Sequence, residues 1–521
     1  MTKGKVYLVG AGPGHPKLIT VKGLEALQRS DVIVYDRLAG PHLIGRSRPD
    51  AELIYVGKRT DRHTMKQEDI NRMLVDLALQ GKLVTRLKGG DPTVFGRVGE
   101  EAELLRQHRI PYEIIPGITS AIAVPAYAGI PVTHRDLASS FSVITGHESP
   151  DKLDDAIEWD KVTSATGTLV FLMGVSKIGY ITEQLVRYGR PPETPIALIR
   201  WGTRAEQETL VGTLADIAEQ VARADFKPPA VIVVGDVVRQ RERLAWMESK
   251  PLFGLRVLVT RTRLQAGELA DRIEALGGEP YEFPVIETRM PESHETITGI
   301  ASALQVAEEY DWVILTSANG VEYFFRWLEL CGTDIRRFHR ARFASVGPKT
   351  AEALAARGIK SDLQPEVYTA EGLLEALMTR GELRPGQTAL LPRGNLARDL
   401  LPKELEQQGV KTVEVDVYET VNTSTRDPFL IEMLEKGQIH VITFTSSSTV
   451  HGLLDALRRL GAADPAALLS SSVIACIGPI TARTAEQAGL RVAVMGQNAT
   501  LEGLIEALQT FRQNKQVREE P

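Results

Sequence analysis

Short runs of β-branched residues alternate with helical patterns along most of this sequence. This alternation restricts the chain to an α/β fold with largely parallel sheets. Val32–Tyr35, Thr168–Leu172 and Val231–Val234 are examples of such runs. Because the chain has 521 residues, it is too long for a single hydrophobic core and must divide into several domains.

We place the main boundary close to Lys250, where a charged segment gives way to a new strand at 256–259. Each half then has roughly 250 residues, which is large for one α/β lobe, so we expect two lobes in each half. The expected lobes of the first half, 1–248, are about 1–118 and 119–248. In the second half, 254–512, we expect lobe one to contain 254–286 plus 420–512, and lobe two to contain 287–419. The polar segment 513–521 is predicted to be disordered.

Composition and charge exclude several function classes. A net charge of −6 gives no reason to expect a nucleic-acid partner or an anionic membrane. The chain has 2 cysteines, so we expect neither a disulfide framework nor a Cys-rich metal site. Met1 runs almost directly into the strand Val6–Val9, which leaves no room for a signal peptide, and the apolar stretch 121–132 is too short to span a bilayer. We therefore expect a cytoplasmic protein.

The second half contains an internal repeat, visible as pairs of similar segments in the same order. The pairs are Val259–Arg261 with Leu391–Arg393, Val313–Ser317 with Ile442–Ser446, and Ser345–Ala351 with Cys476–Ala482. The offset between partners is nearly constant, which predicts two lobes of the same α/β fold. Extended apolar segments at 281–287 and 412–419 predict where the chain crosses between these lobes and forms a hinge.

Glycine-containing turns follow several strands of the first half. They are Gly10-Ala11-Gly12-Pro13-Gly14, Lys88-Gly89-Gly90-Asp91-Pro92 and Ile115-Pro116-Gly117-Ile118-Thr119-Ser120. Glycine permits positive φ and lets a ligand approach the backbone, and turns at the strand ends of an open α/β sheet are where ligands bind. One alternative is a dinucleotide fingerprint in a dehydrogenase, with Asp36 as the ribose acid, but His15 stands where that fingerprint needs glycine. A merely structural turn is the other alternative.

Together with Tyr35–Leu38, Val56–Arg59, Phe95–Arg97 and Gly129–Arg135, these turns resemble the uroporphyrinogen-III C-methyltransferases, across about Gly4 to Trp246. The resemblance implies an N-terminal two-lobed tetrapyrrole methylase fold. It also implies that S-adenosyl-L-methionine is the cofactor and S-adenosyl-L-homocysteine the product. The residues that it assigns to cofactor binding are Gly10, Gly12, Pro13, Gly14, Gly89, Gly90, Asp91, Val94, Thr119, Ser120, Met173, Gly202 and Ala230.

In such a reaction the nucleophile is an electron-rich pyrrole carbon of the substrate, so the enzyme has to supply a base that removes a proton afterwards. The resemblance implies Asp36 as this base and Lys58 as a proton donor. A capping role for Asp36 and a structural ion pair for Lys58 are the alternatives. The candidates for binding substrate carboxylates, each of which could equally be a solvated surface charge, are Arg37, Arg59, Arg97, His134 and Arg135.

The second half has no phosphate loop, catalytic triad or metal-ligand cluster, so its chemistry alone indicates only a two-lobed ligand-binding protein. Its segments Thr316–Val321, Pro392–Asn395, Val417–Thr420, Phe444–Ser447 and Ile477–Ala482 resemble, in their order, uroporphyrinogen-III synthase, across about Gly254 to Arg512. The resemblance implies a C-terminal two-lobed, internally duplicated α/β synthase fold with parallel sheets. It also implies a reaction without a cofactor, in which hydroxymethylbilane closes to uroporphyrinogen III with loss of water and inversion of ring D.

The synthase resemblance implies that Tyr418 hydrogen-bonds the departing hydroxyl; a core tyrosine with a satisfied hydroxyl is the alternative. The binding candidates of this half are Thr316, Ser317, Asn319, Gly347, Arg393, Thr445, Ser446 and Thr481. The turns that carry Gly347 and Thr481 suit anionic ligands, and they could also serve simply as helix N-caps.

The two resemblances support one interpretation, because the product of the synthase is the substrate of the methyltransferase. We expect a bifunctional enzyme that makes uroporphyrinogen III and methylates it at C2 and C7, giving precorrin-2 for sirohaem or cobalamin. Its expected partners are tetrapyrrole substrates and a second copy of the chain, bound through the methyltransferase half. An alternative keeps the methyltransferase and makes the second half a non-catalytic tetrapyrrole-binding module. We further expect the two halves to have separate cores.

Overall fold

The computed structural model describes residues 4–39, 41–57, 65–146, 157–261, 263–380, 382–423, 427 and 429–519. The chain forms two compact units. The first unit combines Met1–Phe283 with Thr425–Pro521, and the second is Pro284–Ser424. No helix in the described part of the chain is long and apolar enough to cross a membrane.

The first unit begins with a parallel sheet. Its elements are β1 (Lys5–Gly10), α1 (Val21–Arg29), β2 (Val32–Tyr35), α2 (Pro41–Ile44), β3 (Glu52–Tyr55), α3 (Gln67–Leu79), β4 (Leu83–Lys88), α4 (Val98–Gln107), β5 (Tyr112–Ile115) and α5 (Ser120–Tyr127). The strand order is β3-β2-β4-β1-β5, and every pair is parallel. One face packs on α3 and α4, and the other packs on α1. Because both faces are covered, β2 is a continuous and fully buried apolar run.

A mixed sheet follows. Its elements are β6 (Phe141–Thr145), α6 (Trp159–Ala165), β7 (Thr168–Leu172), α7 (Ile178–Arg187), β8 (Pro195–Arg200), β9 (Glu208–Thr213), α8 (Ile217–Arg223), β10 (Ala230–Val234) and α9 (Arg241–Leu244). In the order β6-β7-β10-β8-β9, only β6 and β7 are parallel. The run Val231–Val234 therefore did not indicate a parallel strand. Its residues are apolar because both faces of the sheet are covered, and burial does not determine strand direction.

The remaining elements continue in chain order. The first unit adds β11 (Arg256–Val259), α10 (Arg263–Ala275) and β12 (Glu279–Glu282). The second unit consists of β13 (Ile286–Arg289), α11 (His294–Gln305), β14 (Trp312–Leu315), α12 (Ala318–Leu330), β15 (Arg342–Ser345), α13 (Pro348–Ala356), α14 (Ala370–Thr379), β16 (Thr388–Gly394), α15 (Leu400–Gln407) and β17 (Lys411–Asn422). The chain then returns to the first unit with α16 (Leu430–Glu435), β18 (Val441–Phe444), α17 (Ser447–Arg459), α18 (Pro465–Leu468), β19 (Val473–Cys476), α19 (Pro479–Gln487), β20 (Val492–Met495) and α20 (Leu501–Glu519).

The predicted repeat is confirmed by strand order. The sheet in the first unit has the order β12-β11-β18-β19-β20, and the sheet in the second unit has the order β13-β17-β16-β14-β15. The repeated sequence segments occupy β11 and β16, then β18 and β14, then β19 and β15, so matching segments take matching places. The first of these sheets is fully parallel. The second is parallel except for β13, which pairs antiparallel with β17.

Two expectations about the second half were wrong. The segment 412–419 is not a crossing, because it lies inside β17, and the second unit extends to Ser424. The segment 513–521 is not disordered as far as Glu519, because α20 continues to that residue. Gln, Lys, Arg and Glu have good helix propensity, and extending an existing helix requires no new nucleation.

Candidate active sites

Three glycine turns meet at one edge of the first sheet, as predicted, because β4, β1 and β5 are neighbours in a parallel sheet. Gly12 and Gly90 exchange backbone hydrogen bonds of 3.2 and 2.7 Å. A Cβ on Gly10 would lie 2.5 Å from the amide nitrogen of Gly117. A Cβ on Gly117 would likewise lie 2.4 Å from Gly90 O, so positions 10 and 117 require glycine for turn-to-turn packing.

The turn after β4 is different, because it has open space beside it. Gly90 has φ +68°, and a Cβ on it would meet only Ser120 N at 3.7 Å and Thr119 Cα at 3.9 Å. The Asp91 carboxylate accepts the Gly117 amide at 2.9 Å and the Thr93 amide at 2.7 Å. The Asp91 side chain thus joins the second and third turns and leaves backbone exposed along the edge.

The candidates in the second lobe also lie on one edge of their sheet. Met173 follows β7, Ala230 begins β10 opposite Arg200, and Gly202 follows β8. Met173 has φ +58° and is 51% exposed. Pro13 and Gly14 lie in the turn after β1, and Gly89 and Val94 lie in the segment after β4, where the Val94 amide donates to Asp91 O at 3.2 Å. The amide of His15, the residue after Gly14, donates to Thr203 Oγ1 at 3.1 Å. The two edges therefore meet beside the first glycine turn.

One observation supports this edge as a place for S-adenosylmethionine: a Cβ added to Gly90 would project into open space lined by backbone. The turn is thus open to a ligand that approaches the backbone closely. The dinucleotide alternative is disfavoured, because the first turn leads into a short 3-10 helix at Pro16–Leu18 and α1 begins only at Val21. The turn does not open directly into a helix N-terminus as that fingerprint requires.

Asp36 lies at the same edge, directly after β2. Its Oδ2 accepts from Arg86 Nη2 at 3.2 Å, and its Oδ1 accepts the Leu38 amide at 3.0 Å. The amide contact bears out a capping role, and the guanidinium contact fixes the direction of the second oxygen. Both contacts orient the carboxylate.

Behind Asp36 lies a buried charge network that sequence reasoning missed. Glu101 Oε1 lies 3.4 Å from Arg86 Nε and 2.6 Å from Lys88 Nζ, and Glu101 is fully buried. Burial lowers the pKa of Lys88, although Glu101 opposes the shift. The sequence signal for this network was the pair Arg86 and Lys88 at alternate positions of the central strand β4, since alternate residues share one face of a strand.

The basic candidates for substrate binding differ in their exposure and in whether a protein carboxylate already pairs with them. Arg37 and Arg135 are exposed, and His134 is half-buried with Nδ1 accepting the Asp136 amide. Arg97 is held by two 2.8 Å hydrogen bonds to Glu100. Lys58 and Arg59 lie outside the described residues.

In the second unit the structure brings Tyr418 and Ser317 together. The Tyr418 hydroxyl lies 3.3 Å from Ser317 Oγ, and its ring stacks on Tyr323 at a centroid distance of 5.4 Å. Ser317 also caps α12 by accepting the Gly320 amide at 3.0 Å. Thr316 and Asn319 flank this cap, and Gly347 caps α13.

Arg393 is engaged within its own unit. Its guanidinium contacts Asp399 at 3.1 Å and Glu414 at 2.5 Å, so it already pairs with two protein carboxylates. In the first unit, Ser446 caps α17 in a capping box with Thr449, and Thr445 precedes it. Thr481 is buried in the first turn of α19. In the two turns that carry Gly347 and Thr481, the N-cap positions of α13 and α19 are Gly347 and Gly478, neither of which has a side-chain cap, so the N-cap alternative for these turns holds for the backbone position only.

Family profiles match both halves of the chain. One described as Tetrapyrrole (Corrin/Porphyrin) Methylases matches residues 5–218, and one described as Uroporphyrinogen-III synthase HemD matches residues 267–506. The first half is therefore of the tetrapyrrole methylase class, and the duplicated second half is of the synthase class.

Relatives match across the junction between the halves. The Ruminiclostridium josui protein named Porphyrin biosynthesis protein HemD is 38% identical over 510 residues, covering 98% of this chain and 98% of the relative. The Uroporphyrinogen-III C-methyltransferase of Bacillus subtilis is 44% identical over 368 residues, covering 70% of this chain and 74% of the relative. The crystal structure of the Thermus thermophilus uroporphyrin-III C-methyl transferase complexed with S-adenyl homocysteine is 38% identical, with a TM-score of 0.40, and covers 45% of this chain and 99% of that chain. The chain belongs to the porphyrin-biosynthesis family in which a uroporphyrinogen-III C-methyltransferase is fused to a uroporphyrinogen-III synthase.

Replacing Gly90 by leucine is expected to abolish S-adenosylmethionine binding, because the side chain fills the open space beside Ser120. The control is Gly189→Leu, at a glycine with φ +105° and no atom within 4 Å of an added Cβ. Both variants should lose about 1–2 kcal/mol of unfolding free energy from the left-handed backbone. Calorimetry should find cofactor binding only in the control, while the synthase rate persists in both. Normal cofactor affinity in Gly90→Leu would contradict this location of the site.

Proposed function

We propose that the chain carries out two consecutive steps of tetrapyrrole biosynthesis. Residues 254–512 cyclise hydroxymethylbilane to uroporphyrinogen III, and residues 1–248 methylate that product at C2 and C7 to give precorrin-2. The observation that carries the proposal is the edge where three glycine turns and Asp36 converge, in a chain whose second half is a duplicated synthase fold. Precorrin-2 then serves sirohaem or cobalamin synthesis.

For methyl transfer, S-adenosylmethionine supplies an electrophilic methyl group when bound. The glycine turns hold it by backbone contact, and the substrate provides the nucleophilic pyrrole carbon. Each methylation leaves a cationic ring system that must lose a proton, and Asp36 accepts it. Arg86 and the Leu38 amide keep the Asp36 carboxylate in position during this step.

Substrate binding requires cations, because uroporphyrinogen carries eight carboxylates. Arg37, His134 and Arg135 serve this purpose in the proposal, and Lys58 and Arg59 join them by the family resemblance. Arg97 would have to exchange Glu100 for the substrate, which makes it a weaker contributor. Guanidinium groups suit this task because they pair with carboxylates in bidentate geometry.

For ring closure, Tyr418 donates a hydrogen bond to the departing hydroxyl, with Ser317 beside it. The long 3.3 Å separation of their oxygens supports this role, since the phenol is only weakly engaged by the protein. We also propose that the enzyme acts in the cytoplasm and forms a homodimer through the methyltransferase half. If the second half were a non-catalytic binding module, it would bind tetrapyrroles without converting hydroxymethylbilane.

The function is tested by incubating the purified chain with hydroxymethylbilane, with and without S-adenosylmethionine. We expect uroporphyrinogen III without the cofactor and precorrin-2 with it, separated by chromatography and identified by mass. Formation of only the uncatalysed uroporphyrinogen I isomer would overturn the synthase assignment. Uroporphyrinogen III that stays unmethylated would overturn the methyltransferase assignment.

Asp36→Asn should reduce the kcat of methylation by roughly 10²–10⁴-fold, because an amide cannot accept the proton. Cofactor affinity should stay unchanged, since the amide oxygen can still accept the Leu38 hydrogen bond. Asp31→Asn is a matched control: Asp31 also accepts one backbone amide, that of Leu83, and one guanidinium, that of Arg48. Steady-state rates give the kcat of methylation, and calorimetry gives the cofactor affinity. Loss of cofactor binding in a folded Asp36→Asn protein would refute the base role.

Tyr418→Phe should lower the synthase kcat by roughly 10–100-fold, with unchanged folding, because it removes the proposed donor and keeps the stacked ring. The control is the stacking partner, Tyr323→Phe. The Tyr323 hydroxyl donates to the Thr288 carbonyl at 2.6 Å, so its loss should cost about 1 kcal/mol of stability and little synthase activity. Equal rates in wild type and Tyr418→Phe would show that the phenol has no catalytic part.

A further inference from the structure

The loop between β8 and β9, residues 201–207, has a backbone that needs outside support. Trp201 has φ +46° and Thr203 has φ +74°, and neither is glycine. Left-handed conformations of such residues cost free energy and persist only where surrounding contacts fix them. This loop also carries Gly202, a member of the cofactor set.

Contacts within the methyltransferase half tie the loop to the first glycine turn. Thr203 Oγ1 accepts the His15 amide at 3.1 Å, and a Cβ on Gly14 would lie 2.6 Å from Arg204 Nε. A Cβ on Gly202 would lie 2.5 Å from Val124 Cγ1 in α5. Any shift of the loop is therefore transmitted to the edge proposed to hold the cofactor.

Further supports of this loop come from the synthase half. Glu279 in β12 accepts the Ala205 amide at 2.6 Å. Arg256 in β11 binds the Glu206 carboxylate through both of its terminal nitrogens, at 2.7 and 2.5 Å. The same guanidinium binds Glu279 at 3.0 and 2.9 Å. Arg256 is 2% exposed and Glu279 8%, so these two members of the cluster are buried, while Glu206 is partly exposed.

A second group of contacts involves the segment just after the glycine turn. Lys17 Nζ lies 2.6 Å from Asp271 and 2.8 Å from Glu274, both in α10. His15 Nε2 lies 3.5 Å from Glu274. Farther along, Phe429 packs edge-on against Tyr35 and Tyr55. The synthase lobe thus contacts both segments that meet at the cofactor edge. Phe429 of that lobe also packs into a hydrophobic core of the methyltransferase half. The expectation of separate cores was therefore wrong here.

We propose that Arg256 and Glu279 of the synthase half are positioning residues for the methyltransferase: they hold loop 201–207 in its cofactor-binding conformation. The proposal rests on the proposed function, which locates the cofactor at this edge. Removal of one partner would leave a buried charge uncompensated, and the loop would relax away from its strained conformation. By thermodynamic reciprocity, bound cofactor also stabilises this contact between the halves.

The test uses the full chain and the variant Glu279→Ala, which removes the acceptor for the Ala205 amide. We expect Kd and KM for S-adenosylmethionine to rise by about 5–100-fold, a typical range for coupled sites, with kcat at saturating cofactor and the synthase rate within about twofold of wild type. Glu279→Gln keeps an acceptor oxygen and should recover part of the affinity. The control is Glu268→Ala in α10, which also removes a carboxylate paired with an arginine, Arg272, and should change none of these values.

A second variant covers the case in which Glu279→Ala does not fold. Glu206→Gln alters the partly exposed carboxylate on the methyltransferase side, whose side chain is 30% exposed, and should raise KM for the cofactor in the same direction. Hydrogen exchange gives an independent readout: cofactor should slow exchange of the Ala205 amide in wild type and much less in Glu206→Gln. Unchanged affinity and unchanged exchange in the folded variants would overturn the proposal. Failure of wild type to bind the cofactor would instead refute the proposed function itself.

Discussion

The hydrogen bonds between Gly12 and Gly90 hold the first site together, because they join the turns after β1 and β4 through backbone atoms alone. The pairing brings the ends of β1 and β4 so close that Gly10 and Gly117 must also lack a Cβ. Asp91 completes the arrangement from the side by accepting the Gly117 amide. Three strand ends are thereby fixed relative to one another before any ligand binds, which lowers the entropic cost of binding.

Charges buried beneath this edge are costly, and their placement explains why the chain keeps them. Arg86 and Lys88 share one face of β4 and meet the fully buried Glu101. A well-packed apolar set of similar volume would often be as stable or more stable. The charged residues add a hydrogen bond from Arg86 to the Asp36 carboxylate, which no apolar residue could make. The network therefore links the buried face of β4 to the Asp36 carboxylate.

Sequence reasoning reached the fold class, the repeat and the glycine edge, because each depends on local chemistry that the sequence displays directly. Apolar runs indicate buried strands, and glycines indicate where two backbone segments or a ligand approach closely. A parallel sheet brings the ends of its strands to one edge. The antiparallel pairing of β10 was missed because an apolar run has no direction. The end of the second unit was also missed, since β17 is one continuous strand through Tyr418 and carries no break at residue 419.

The contacts of Arg256 with Glu206 could not be predicted, because they join residues far apart in sequence and depend on how a whole lobe docks. Neither residue belongs to a recognisable motif. The one visible sign was an arginine at the start of an apolar strand, Arg256–Val259, which reads equally well as a solvated strand end. Charge pairs between lobes become visible only when the tertiary structure is known. For the same reason, sequence motifs do not reveal residues of one lobe that act on another lobe.

The two lobes of the duplicated half are similar, yet Tyr281 and Tyr418 differ in how firmly their hydroxyls are held. Tyr281 in β12 is buried, and its hydroxyl donates to Asp427 at 2.5 Å, so it is fully engaged in holding its own lobe. Burial and the nearby Asp427 carboxylate both raise the pKa of Tyr281 well above the ordinary value. Tyr418 in β17 is only partly buried, and its hydroxyl has a 3.3 Å contact with Ser317. A phenol that donates to a carboxylate is already engaged, whereas a loosely held one remains able to donate to a ligand, and this difference supports the proposal that Tyr418 assists ring closure.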